Sequence, residues 1–274
     1  ILDIGSNDGL FLDFCKKQKA KTYGIDPATE VSKLAKKNKH KIIVDYLNNR
    51  SVNKIKKTFS KTFKLITANN VFSHSDNLQD TLRCISNLLH KDGVYVFEVS
   101  YLLDTLNNRV IDYIYHEHLS YHSIRPLKIF LKKQNMYIYD IIKVPTKGGS
   151  IRVVCGKNVK KENKELIESM EAAEVSLGIY QKKFYQKIEN EINLTKQLVI
   201  NWIFKSKKMN PKIKFFAYGA CATGTVLSSM LGLDKFLSGY LDDNLDKNNY
   251  LSPNSFLPVL KMKSIKQVKN KVII

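Results

Sequence analysis

The chain has 274 residues, 43% of them hydrophobic, and a formal charge of +20 from 45 Lys+Arg against 25 Asp+Glu. That length suits two domains with ordinary cores, and no run of about 18 apolar residues exists to read as a membrane helix. The basic excess is mostly lysine scattered among Asn and Ile, without an Arg-rich patch interleaved with aromatics; this argues for compositional bias over a nucleic-acid surface and leaves a modest attraction for phosphates.

The four cysteines, Cys15, Cys84, Cys155 and Cys221, form no Cys-x-x-Cys pair, so neither zinc nor a disulfide framework is expected in this stretch, and a reduced, cytoplasmic setting is. Ile1-Leu2-Asp3-Ile4-Gly5 reads as a strand already under way and Lys271-Val272-Ile273-Ile274 as a strand cut short, the pattern of a fragment.

In chain order, the first strand runs into Gly5-Ser6-Asn7-Asp8-Gly9 and a helix from Leu10 to Gln18. A second strand, Thr22 to Ile25, ends at Asp26, about twenty residues past the loop, where a carboxylate can accept hydrogen bonds from a ribose. A helix over Ala28–Asn38, a strand over Lys41–Val44 ending in Asp45, a helix near Val52–Ser60 and a strand over Phe63–Ala68 ending in Asn69 follow. Next come a helix over Leu78–Leu89, a turn at Lys91-Asp92-Gly93 and a strand over Val94–Val99, with an irregular stretch expected from Ser100 to Tyr113. Alternating strands and helices with short connections predict a doubly wound parallel sheet whose ligand edge lies at the strands' carboxyl ends.

The glycine loop lacks the Gly-x-Gly-x-x-Gly spacing of a dinucleotide-binding dehydrogenase. It resembles motif I of the class I S-adenosylmethionine (SAM) methyltransferases, and Leu89-His90-Lys91-Asp92-Gly93 resembles the segment that precedes their fifth strand. The resemblance implies that Gly5, Ser6 and Gly9 line the methionine end of SAM, that Asp26 takes the ribose hydroxyls, and that Asp45 and Asn69 lie near the adenine and the sulfonium. For Asp45 a turn or helix-capping role is an equal alternative.

Tyr115-His116-Glu117-His118-Leu119-Ser120-Tyr121-His122-Ser123 packs three of the six histidines into nine residues. The His-Glu-His spacing of i and i+2 is not the i, i+4 pair that shares a helix face in zinc proteases, and no third ligand is near in sequence, so no metal is expected. Tyr115, Glu117 and His118 do supply a base, an orienting carboxylate and a phenol donor; a loop of buried, satisfied polar groups is the alternative.

Five segments in order resemble the nucleotide-sugar C-methyltransferases: Asn69–His74, Phe97–Leu103, Ile114–Ser123, Lys147–Val153 (with Lys147 where the family pattern has His) and Phe216–Gly224 (with Thr223 where it has Lys). The resemblance implies that His118 removes a proton from the sugar carbon beside a 4-keto group, with Glu117, Tyr115 and His74 as active-site neighbours. Tyr115 or His74 could then stabilise the enolate oxygen. His116 and His122 receive no role.

In the second half, Met136–Val144 and Ser150–Val154 predict an antiparallel hairpin at the edge of the first sheet, turning at Lys147-Gly148-Gly149. Residues 156–163 read as a linker and Glu165–Lys208 as helical, with Gly178 as a break; packing onto the domains is the simpler reading of its apolar positions than a dimer seam. Ile213–Tyr218, Gly219–Gly224, a helix over Thr225–Leu231 and a strand over Phe236–Leu241 form a second α/β unit, without the Gly-Lys-Ser/Thr of a P-loop.

The expected architecture is α/β: a Rossmann-like SAM-binding domain over residues 1–157, then a helical region and a smaller Rossmann-like, sugar-nucleotide-binding domain over 158–274. The expected ligands are SAM and a nucleotide-sugar, with no nucleic acid or membrane partner, in a monomer or weak dimer. Tyr121, Gly149, Arg152, Tyr218 and Gly219 are the candidates for substrate binding. Zinc is expected only in an N-terminal cysteine-rich domain that the resemblance implies before residue 1. An O- or N-methyltransferase, a non-catalytic sugar-nucleotide binder and a nucleic-acid binder are the competing functions.

Overall fold

The computed structural model describes residues 1–274 as two compact units, one of residues 1–108 and 117–177, the other of 109–116 and 178–274. No helix is long and apolar enough to cross a membrane.

The first unit is built on seven strands: β1 (Leu2–Ile4), β2 (Tyr23–Asp26), β3 (Lys41–Val44), β4 (Phe63–Asn69), β5 (Leu89–Ser100), β6 (Tyr137–Val144) and β7 (Ser150–Gly156). Their order is β3-β2-β1-β4-β5-β7-β6, and β7 alone runs against its neighbours. Short apolar strands such as Leu2-Asp3-Ile4 and Lys41-Ile42-Ile43-Val44 are largely buried, as a sheet covered on both faces requires. The helices α1 (Leu10–Lys17), α2 (Thr29–Lys37), α3 (Asn49–Thr58) and α4 (Leu78–Leu88) are the crossovers. Asn48 and Ser51 close a reciprocal capping box on α3, and Asn77 caps α4 through the Asp80 N–H.

Three departures from the expected elements have local causes. β5 starts at Leu89 rather than Val94; Lys91-Asp92-Gly93 lies in an irregularity where Phe63 pairs with Leu89 but Leu65 pairs with Val94. Part of the expected irregular stretch is helix α5 (Leu102–Asn107), which buries Leu103 and Leu106. A further helix, α6 (Ile124–Lys132), buries Ile124, Leu127 and Leu131; Pro126 is tolerated because it falls in the first turn.

α6 has no side-chain cap of its own. Its leading N–H groups point instead at Glu174, a fully buried carboxylate on α7 (Lys164–Ser176): Ile124 N–H donates to Oε1 at 2.6 Å and the Tyr101 hydroxyl donates to the same oxygen at 3.0 Å. Lys128 on α6 pairs with Glu171 on α7, and Ile167 is buried. These contacts place α7 in the first unit, so the division falls after Leu177, not after residue 157 as the linker composition suggested. Gly178, at φ +76, is the expected break before α8 (Lys182–Met209).

The second unit holds a parallel sheet of β8 (Lys214–Tyr218), β9 (Leu237–Leu241), β10 (Val259–Leu260) and β11 (Lys271–Ile273) in the order β10-β9-β8-β11. Ile203 of α8 packs with Phe215, Leu233, Leu237, Tyr240 and Val259 in its core. The helix α9 (Ala222–Met230) follows β8. Residues 109–116 join this unit, with Arg109 paired to Glu191 of α8 and the turn Ile111–Tyr113 beside α9.

Replacing Glu174 with Ala removes the acceptor shared by the Ile124 N–H and the Tyr101 hydroxyl. Urea denaturation at neutral pH is expected to show a loss of roughly 1–3 kcal/mol in unfolding free energy; an unchanged midpoint would show that the cap contributes nothing.

Candidate active site

The loop after β1 is fixed from behind. Gly5 N–H donates to the Ile25 carbonyl at 2.8 Å, and Gly9 N–H donates to the Ser6 carbonyl at 2.9 Å. Gly5 sits at φ +70, and a Cβ there would stand 2.3 Å from Cγ2 of Val71, so only glycine fits. The Ser6 side chain turns inward over Gly24; its hydroxyl is buried without a partner, so Ser6 shapes the loop through its backbone.

Asp26, buried at the end of β2, accepts the Asn7 N–H on Oδ2 at 2.9 Å and the Ala28 N–H on Oδ1 at 2.8 Å. Each oxygen keeps a second lone pair. Asp45, at the end of β3, is held in a turn: its carboxylate accepts the Tyr46 N–H at 2.9 Å and pairs with Arg50 at 3.2 Å. Asp3, buried in β1, accepts from the Thr67 hydroxyl at 2.6 Å, yet burial pushes its carboxyl up to about 7.

Asn69 ends β4 opposite Glu98, and the chain then turns through Asn70 at φ +55 into the short helix Phe72–His74. The Leu119 N–H donates to the Ser73 carbonyl at 3.0 Å, tying the histidine-rich segment to this turn. The His74 and His118 rings meet edge to face with centroids 5.1 Å apart, and Tyr121 lies edge-on to His118 at 6.2 Å. His118 is buried, whereas His74 and Glu117 are exposed. Partial desolvation lowers the pKa of His74; the Glu117 carboxylate opposes that shift and the Lys147 ammonium adds to it.

The substrate candidates divide. Arg152 pairs with Glu98 at 2.8 Å, and Gly149, at φ +127, ends the turn before β7, so with Tyr121 they belong to the first unit. Tyr218 and Gly219 belong to the second: the exposed Tyr218 hydroxyl donates to Asp243 at 2.6 Å, and Gly219, at φ +102, leads into α9. Tyr115, edge-on to His116 at 5.9 Å, lies in the segment that joins the second unit.

His122 is a core residue. It stacks on Phe72 at 5.7 Å, contacts the Ser120 hydroxyl at 3.2 Å, and burial drives its pKa down to about 4. No group of three His, Cys, Asp or Glu side chains is arranged to hold a metal ion. The residue that the motifs understated is Glu98: it lies in the Phe97–Leu103 segment without an assigned role, yet its carboxylate takes both Arg152 and the Thr146 hydroxyl, at 2.9 Å.

Residues 1–140, just over half of the chain, match the model of the methyltransferase domain family. The chain belongs to that family. Residues 145–274 match the C-methyltransferase C-terminal domain. The fold is the α/β, Rossmann-like class I methyltransferase fold, with a smaller second sheet. Among curated proteins, the C-methyltransferase NovU of Streptomyces niveus is 25% identical over 279 aligned positions, covering 94% of this chain. The chain spans 61% of that relative's length. Among solved structures, the PH0226 protein of Pyrococcus horikoshii OT3 aligns over 57% of this chain and 81% of its own, with 14% identity and a TM-score of 0.47. An S-adenosylmethionine-dependent methyltransferase of Clostridium acetobutylicum ATCC 824 aligns over 57% and 82%, with 16% identity and a TM-score of 0.45.

The depressed pKa of His122 sets a pH test. The fold holds the ring neutral, so its stability is fullest above about pH 6.5 and falls as the unfolded chain takes up a proton between pH 6.5 and about 4. The loss is roughly 1.4 kcal/mol per pH unit, about 3 kcal/mol in all. Urea unfolding across that window should be steeper in the wild type than in His122→Phe; parallel curves would contradict the assignment.

Proposed function

We propose that the protein is a SAM-dependent C-methyltransferase acting on the carbon alpha to the keto group of a 4-keto-deoxy nucleotide-sugar. The observation that carries this reading is the buried His118, edge-on to His74 on the segment tied to the turn after β4. It lies at the carboxyl ends of the strands, where such sheets bind ligands. The C-methyltransferase C-terminal domain and the likeness to NovU support the carbon acceptor.

The loop geometry fits the donor. Gly5 leaves room where any side chain would strike Val71, and Asp26 is pinned by two backbone N–H groups with lone pairs to spare for a ribose diol. Gly5, Ser6 and Gly9 would hold the methionine end, and Asp26, Asp45 and Asn69 the nucleoside and sulfonium. Bound SAM supplies an electrophilic methyl group.

The chain's own task is to make a carbon nucleophile. A ring nitrogen of His118 takes the proton from the sugar carbon, and the electron pair left behind spreads onto the adjacent carbonyl oxygen. His74, whose pKa partial desolvation lowers, is a donor for that oxygen. The Glu117 carboxylate raises the pKa of His74 against that desolvation. Tyr121, Gly149 and Arg152, all in the first unit, are proposed to hold the sugar. This proton transfer needs no metal.

The test is deuterium uptake at the sugar's alpha carbon without SAM, using uridine- and thymidine-diphosphate 4-keto-6-deoxyhexoses in heavy water. Wild type should exchange, and His118→Asn should lose at least roughly 10²-fold in rate. An active wild type that shows no exchange would sink the enolate route. By calorimetry, Asp26→Ala should weaken SAM binding about tenfold or more, the loss of a charge-assisted hydrogen-bond pair; unchanged affinity would remove Asp26 from the donor site.

A further inference from the structure

The turn that enters β7 is strained and held rigidly. Lys147, Gly148 and Gly149 are consecutive residues at positive φ, of +54, +79 and +127. For a lysine this left-handed conformation costs on the order of 1 kcal/mol and persists only where the surroundings impose it. Here they do. The Thr146 hydroxyl donates to Glu98, the Ser150 hydroxyl donates to the Thr146 carbonyl at 3.1 Å, and the Asn108 amide donates to the Gly148 carbonyl at 2.9 Å. Tyr101 N–H donates to the Gly149 carbonyl at 3.1 Å. Gly149 is pressed against Asp104, where a Cβ would fall 2.4 Å from the aspartate's own Cβ.

The cations around this turn are not equivalent. Lys143 pairs with Asp104 at 3.2 Å, and Arg152 pairs with Glu98. Thr146 and Arg152 occupy the two Glu98 oxygens between them, and the Lys147 ammonium, half-buried, makes no hydrogen bond or ion pair. Glu98 also accepts the Asn70 N–H on its backbone carbonyl at 2.9 Å, so the turn is bolted to the strand ends that carry His74. The fields agree with that placement: Lys147 lowers the pKa of His74, and its own is lowered by desolvation and raised by Glu98. A strained, well-anchored turn that presents a partly desolvated cation without a counter-ion is built to receive an anion.

Resting on the function proposed above, we propose that Lys147 is a further catalytic residue whose ammonium receives the oxyanion that grows on the substrate carbonyl as the adjacent carbon loses its proton. No bond to Lys147 forms or breaks; the charge that arises on oxygen is met by one already in place. The same ammonium could instead grip the substrate's diphosphate, and the kinetics separate the two.

The experiment compares wild type with Lys147→Met, Lys147→Arg and Lys147→Asn in the full chain, using the same keto-sugar panel. The readouts are alpha-carbon deuterium exchange without SAM, and kcat and KM for methyl transfer with it. The Asn variant tolerates left-handed backbone and guards against a turn that simply unfolds. In Met and Asn, exchange and kcat should fall roughly 10²-fold with KM changed by less than about threefold, and Arg should retain much of the rate. Wild-type exchange in Met and Asn would overturn the proposal, as would a rise in KM alone, which assigns the ammonium to the diphosphate. A wild type without exchange or methyl transfer on any keto-sugar would bring down the functional reading, and this one with it.

Discussion

The candidate site rests on one carboxylate that does no chemistry. Glu98 sits at the carboxyl end of β5, beside Asn69 of β4, and is bound on three sides. Its carbonyl takes the Asn70 N–H, one carboxylate oxygen takes the Thr146 hydroxyl, and the other takes Arg152. Asn70 begins the turn that carries His74, and Thr146 and Arg152 flank the strained turn that enters β7. A charged hydrogen-bond acceptor is worth more than a neutral one, and a carboxylate this buried is costly unless its oxygens are occupied. Satisfying Glu98 therefore fixes where two loops from distant parts of the chain end up.

The histidines show how burial sorts one residue type into different roles. His40, buried, bridges the Asp13 carboxylate at 2.8 Å and the Thr22 hydroxyl at 3.0 Å, knitting α1 to the start of β2 and the turn before β3. His122 is stacked in the core and held neutral. His40 has both ring nitrogens engaged, and the His122 ring is buried. His74 and His118 are different: their rings meet edge to face beside the turn after β4, with a carboxylate and a lysine shifting the His74 pKa in opposite directions. Partial desolvation and the nearby ammonium favour the neutral form of His74, whose ring N–H is then free to serve as a hydrogen-bond donor.

Much of the first unit is legible in the residues because each signal is local. Gly5 and Gly9 mark the loop, Asp26 and Asp45 mark strand ends, and the two apolar runs around Lys147-Gly148-Gly149 mark the β6–β7 hairpin. What escaped was non-local. The apolar positions Ile124, Leu127 and Leu131 have helical spacing, but the start of α6 is capped by Glu174, fifty residues on, and Pro126 masks its first turn. The same glutamate pulls α7 into the first unit, across the charged stretch that reads as a linker. β10 has two residues, too short for any pattern. At the site, His118 stood out through the resemblance of its segment, not its spacing, and the core role of His122 depended on a Phe72 contact that no periodicity announces. Lys147 appeared in the sequence only as a departure from a motif; its unpaired charge is visible only once Glu98 is seen to be taken.

In the proposed reaction the methyl group goes to carbon. Incubating the protein with SAM carrying a 13C-labelled methyl and each keto-sugar nucleotide, then reading the product by two-bond and three-bond carbon–proton correlation, tests it directly. The expected product carries the labelled methyl on a ring carbon next to the carbonyl, with that carbon's original proton gone. A labelled methyl on oxygen or nitrogen, with the ring proton retained, would contradict it.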